Sequence, residues 1–131
     1  MEAAQALADL TEISTQIKAA ALFRADGTVD AATLADGTRF VEAARALIAG
    51  AEAVRTEPLV QLEAATADGS VFVVRDGDRA VAAVTGPEPT VGLVFYDLKS
   101  CLRTSAESED APKPKRAPRR KQTEEAENGE A

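Results

Sequence analysis

The chain has 131 residues, 45% of them hydrophobic but only 4% aromatic, and a formal net charge of −7 at neutral pH. One domain takes roughly 100–200 residues, so this length allows a single modest core, built from Ala, Val, Leu and Ile in close backbone contact rather than from large rings. With no His and only Cys101, the sequence offers no histidine base, no Cys–His pair, no intramolecular disulfide and no thiolate metal cluster within one chain.

The first residues, MEAAQALADL, carry Glu2 and Asp9 where a secretory leader is basic and then unbroken apolar. No stretch reaches the roughly 18 apolar residues of a membrane span, and the expectation is a cytoplasmic protein. Ala3, Ala6, Leu10, Ile13 and Ile17 recur at helical spacing and predict a first amphipathic helix. Ile17 to Arg24, IKAAALFR, has the length and flanks of a strand, against the poor strand propensity of its three alanines. Asp26-Gly27 then predicts a hairpin into VDAATL, because turns that match strand twist need a positive φ that Gly adopts freely.

Ala-Asp-Gly recurs at 35–37, but it leads into a helical pattern. Phe40, Val41, Ala44, Leu47, Ile48, Ala51 and Val54 form one broad apolar stripe, with Asp36 or Thr38 as the N-cap. Beside that stripe, Ala43, Ala46, Gly50 and Ala53 make a face of small side chains, while Glu42, Arg45 and Glu52 make a solvated third face. A small-residue strip lets another helix approach closely, which suggests self-association. The plainer alternative is helix-favouring Ala placed there by composition.

After Pro58, Val60, Leu62 and Ala64 alternate with Gln61, Glu63 and Ala65, as in a strand with one wetter face. Val71 to Val74, VFVV, is apolar throughout, as a central strand covered on both sides is. Asp68-Gly69 and Asp76-Gly77 predict two more hairpins, the second as a three-residue loop with a bulge, and RAVAAV is the last strand. GPEPT leads through Thr90 into a closing helix with Val91, Val94, Phe95, Leu98 and Leu102 on one stripe and Cys101 as a small buried residue. The order is helix, hairpin, helix, three antiparallel strands, helix. It defines an α/β (α+β) fold with a central five-stranded antiparallel sheet and helices on both faces.

Composition changes at residue 104. From Thr104 to Ala131 there is no Val, Ile, Leu, Phe or Tyr, so residues 1–103 are expected to fold and 104–131 to form a disordered charged tail. The tail places a basic block, Lys113, Lys115, Arg116, Arg119, Arg120 and Lys121, between acidic runs and nets −1, leaving −6 on the domain. The block suits nucleic-acid phosphates or an anionic membrane surface, but the acidic runs and the acidic domain compete for it, and the plainer reading is a solvated tail whose basic block folds back on that domain. No aromatic residue is interleaved to stack bases.

Little points to catalysis. None of the Asp-Gly copies has the oxygen spacing of a calcium loop, and no Gly-x-Ser-x-Gly or Walker loop occurs. Arg39, Arg45 and Arg55 are the candidates for an arginine supplied in trans to a phosphoryl transfer, although surface arginines on an amphipathic helix need no such role. A small-molecule pocket on the sheet is a further reading, without converging polar groups to support it. No catalytic residue, metal or cofactor is expected.

The leader helix, AALFRADGTV as first hairpin, the long helix from about Thr38, DGSVFVVRDGDRAVAAV and VGLVFYDLKSCLR together resemble the Roadblock/LC7 family over about residues 3–103. The charged tail is not part of that pattern. The resemblance implies a non-catalytic homodimer that pairs through the long second helix and the edge strand after it. Here those are Phe40 to Val54 and Leu59 to Thr66, and the expected interface comprises Phe40, Ala43, Ala46, Leu47, Gly50, Ala53, Val60 and Leu62. It further implies an adaptor or regulator of a small Ras-like GTPase, which would dock on the helix-bearing side of the dimer. The alternative is a scaffold or a binder of nucleic acid or anionic surfaces acting through the basic block.

Overall fold

In a computed structural model, which describes residues 2–110, α1 (Ala3–Ile13) leads into β1 (Ile17–Arg24) and β2 (Val29–Ala32). Next come α2 (Gly37–Ala53), β3 (Gln61–Thr66), β4 (Gly69–Asp76), β5 (Arg79–Thr85) and α3 (Val91–Asp110). The strands form one antiparallel sheet in the order β2-β1-β5-β4-β3, so β1 and β5 join the two hairpin systems at its centre and β3 is an edge. The order of elements and the five-stranded sheet are those expected from the sequence.

The sheet separates two helical layers. Ala6, Leu7 and Leu10 of α1 and Val94, Leu98 and Leu102 of α3 cover Ala20, Leu22, Phe72, Val74, Val81 and Ala83 on one face. Phe95 closes this layer with its ring edge-on to Phe72 at 5.0 Å between centroids. On the other face, Val41, Ala44 and Ile48 of α2 cover Ala21, Phe23, Val73, Ala80 and Ala82. The weak strand propensity of Ala19, Ala20 and Ala21 is overridden because they lie under these layers, 6%, 0% and 0% exposed.

Several local expectations are corrected. Ile13, assigned to the buried stripe of α1, is 73% exposed, because the helix ends at Ser14 and Leu7 takes the core position instead. Ile17 opens β1 rather than continuing the helix. The β4–β5 connection is a two-residue turn, since Asp76 pairs with Arg79 and only Gly77 and Asp78 lie between, with Gly77 at φ 66°.

The closing helix runs further than its apolar stripe. α3 passes Arg103 and runs to Asp110, with Ser105 buried and the Thr104 hydroxyl donating to the Ser100 carbonyl at 2.8 Å. Helical spacing from Leu98 carries small polar residues onto the core side, which a search for large apolar side chains passes over. The rest of the expected tail, including the basic block, lies outside the described residues.

Candidate protein interface

α2 carries two surfaces. Asp36, not Thr38, caps it by accepting from the Arg39 backbone N–H at 3.3 Å. Val41, Ala44 and Ile48 then turn to the sheet, which directs Ala43, Ala46, Gly50 and Ala53 to the opposite side, where all four are exposed. Among the described residues, and apart from the helix's own backbone, a Cβ built on Gly50 would meet nothing within 4 Å. Leu47, 36% exposed, flanks this strip, as does Val54, 75% exposed at the helix end and not on the buried stripe where its spacing put it.

β3 supplies the second part. Among the described residues it hydrogen-bonds only β4, and Arg75 N–H donates to the Val60 carbonyl at 2.8 Å just before the strand begins. Antiparallel alternation then turns the backbone groups of Gln61, Glu63 and Ala65 away from β4, as an unpaired edge. Val60 is 64% exposed, while Leu62 and Phe40 are half-buried against the α2 layer. Six of the eight expected interface residues thus lie open on this side. Phe40 stands at the far end of the helix from Val54, about 20 Å away along the axis.

Glu52 ties the two parts together, a role its place on a solvated helix face did not suggest. Its Oε2 accepts from the Leu59 backbone N–H at 2.7 Å and from Arg75 Nη1 at 2.8 Å. This fixes the turn between α2 and β3 above β4. Because its partners lie beyond the helix, seven and 23 residues along the chain, helical periodicity carried no signal of it. A cleft of about 460 Å³, lined by Val54, Pro58 and Val60, opens at this junction. Another, of about 450 Å³, lies between α2 and the β4–β5 turn and is edged by Glu42, Arg45, Glu52, Arg75 and Asp78.

The opposite layer has a groove of about 260 Å³ between α1 and α3, with Ile13 and Tyr96 at its rim. Tyr96 is 65% exposed. Cys101 lies at the floor, 6% exposed, its Sγ donating weakly to the Ala6 carbonyl at 3.5 Å. Burial, with the charge of Asp9 adding to it, pushes its thiol up to about 12, so it stays protonated at neutral pH and is no nucleophile. Asp26 is held below the usual carboxylate range by the Thr28 backbone N–H at 2.9 Å, which is turn chemistry. Arg39, Arg45 and Arg55 are all exposed. Among the described residues, no three His, Cys, Asp or Glu side chains cluster to hold a metal, and no helix is long and apolar enough to cross a membrane.

This layered sheet, with one long helix on one side and the two terminal helices on the other, is the Roadblock/LC7 fold. A Roadblock/LC7 domain from Streptomyces avermitilis superposes with a TM-score of 0.74 at 14% identity, over 83% of this chain and 98% of its own. The gliding protein MglB of Thermus thermophilus matches with a TM-score of 0.71 at 15% identity, over 83% of this chain and 90% of its own. A further MglB structure, described as having a tetrameric arrangement, matches with a TM-score of 0.65 at 16% identity, over 79% and 86%. No family model and no curated protein matches the sequence.

Proposed function

We propose that the chain is a non-catalytic dimeric adaptor that binds a small Ras-like GTPase and modulates its nucleotide state. The observation that carries the dimer is the exposed small-residue strip of α2 on the same side as the open β3 edge. A two-fold axis beside β3 would set each α2 strip against its twin and continue the sheet from one subunit into the next, covering both liabilities at once. Multimeric MglB fits the same tendency to self-associate.

The GTPase role rests on the Roadblock/LC7 resemblance, and the helix-bearing side of the dimer is its docking surface. The test is two-part. Light scattering at micromolar concentration should return twice the chain mass. A pull-down from the source organism's lysate, loaded with GDP or a non-hydrolysable GTP analogue, should recover one Ras-like GTPase in a nucleotide-dependent manner. A monomer in the first experiment removes the interface, and nucleotide-independent recovery removes the regulator.

A further inference from the structure

The groove between α1 and α3 lies on the face away from the proposed pairing surface. Among the described residues, two acids, Asp9 and Asp97, and no base line it, and Ile13 and Tyr96 present apolar surface at its rim. Asp9 is close enough for its charge to be felt at Cys101 on the floor. Such a site fits a chain segment that is cationic, free of acids and rich in groups that stack on an aromatic ring. Residues 111–122 have that composition: six bases, three prolines and no acid.

We infer that the basic block Lys113–Lys121 of this same chain docks in the α1–α3 groove, with an arginine over the Tyr96 ring and the remaining cations facing Asp9 and Asp97. Connectivity favours this occupant. α3 ends at Asp110, and Thr104 already lines the groove. Returning from Asp110 to the level of Tyr96 takes about 21 Å along the helix axis at ~1.5 Å per residue. Residues 111–119, in the extended conformation that Pro112, Pro114 and Pro118 favour, span about 28 Å at ~3.1 Å per residue. That brings Arg119 and Arg120 to the rim without strain. A guanidinium over an exposed aromatic face is a favourable contact in water, and attachment to the same chain supplies an effective concentration in the millimolar range. The acidic sequence after the block would remain outside the groove.

The inference does not depend on pairing through α2, so its test leaves that reading untouched. Tyr96 is the single tyrosine and the chain has no tryptophan, so intrinsic fluorescence reports on this groove alone. The experiment compares acrylamide quenching of Tyr96 in the full chain, in a variant with all six bases of the block replaced by Gln, and in Asp9→Asn/Asp97→Asn. Circular dichroism melting confirms that each is folded. At about 0.01 M salt the native chain should quench roughly twofold less than either variant. The difference should vanish at about 1 M salt, where the screening length falls to ~3 Å. Equal quenching of the native chain and the Gln variant at low salt overturns the inference. Protection that survives Asp9→Asn/Asp97→Asn overturns the assignment to this groove. Protection that grows with protein concentration overturns docking within one chain and assigns the groove to the tail of a second copy.

Discussion

Gly50 separates the requirements of the single chain from those of its assembly. It sits inside α2, where Gly costs about 1 kcal/mol relative to Ala, and among the described residues nothing beyond the helix's own backbone lies within 4 Å of where its Cβ would be. Gly50→Ala should therefore stabilise the isolated domain by about 1 kcal/mol, which for a chain of this size raises Tm by about 4 °C. Gly50→Glu also gains helix propensity and also finds open space, so the subunit should fold at least as well as the native one. At the proposed two-fold axis the outcome reverses. Two carboxylates about 5 Å apart repel by about 3 kcal/mol at an effective dielectric constant near 20, on the order of a hundredfold in Kd. Light scattering across a dilution series, paired with thermal melts, reads both effects. A Gly50→Glu chain that remains dimeric at native affinity would refute the α2 interface. A Gly50→Ala chain that melts lower when fully dissociated would refute the reading of open space around Gly50.

Gly69 is the opposite case: at φ 152° its Cβ would collide with the Thr85 carbonyl oxygen. Gly69→Ala should cost more than about 3 kcal/mol in urea unfolding, because both the conformation and the contact are denied to a side chain. Glu52→Ala should cost about 1–2 kcal/mol, discounted for the one-third exposure of the carboxylate, with Arg75→Ala non-additive in a double-mutant cycle. Glu52 also braces the start of β3, so amide exchange at Leu59 should quicken in that variant. The Cys101 thiol is raised from 9.0 to about 12 in the folded chain, so the native state holds its proton longer than the unfolded one. Its stabilising contribution is complete below about pH 9 and is lost as pH rises towards 12. Cys101→Ala should remove that alkaline slope, and the native thiol should resist disulfide reagents until the protein unfolds.

Where periodicity and turn chemistry agree, the elements were legible in the sequence: Ile17–Arg24 is the strand that IKAAALFR suggested, and the Asp-Gly pairs stand at or beside the turns, although Gly69 opens β4 and the turn before it is Ala67 and Asp68. Side chains whose role depends on partners outside their own element were not. Glu52 looked solvated because Leu59 and Arg75 are not helical neighbours. Ile13 and Val54 looked buried because spacing does not reveal where a helix stops. Small polar residues concealed the last turns of α3, since Ser105 packs inward without being apolar. The strip Ala43, Ala46, Gly50, Ala53 was legible as a face, whereas the groove beside Tyr96 required knowing that α1 and α3 lie together.

The centre of the sheet also sets the order in which the chain can fold. β1 and β2 close across a tight turn, and β3, β4 and β5 close across two more, but Ile17 meets Thr85 and Arg24 meets Arg79 only after most of the domain has been made. Short loops close in well under a microsecond and hairpins in about 1–10 μs, whereas pairings between distant segments slow folding. Refolding should thus be limited by the joining of two preformed halves. During synthesis, the exposed and apolar side of the β1–β2 hairpin waits for β5 to emerge from the ribosome. For that interval the adhesive edge of the molecule is β1, later sealed at the middle of the sheet, and it is there that co-translational misassembly between neighbouring nascent chains would begin.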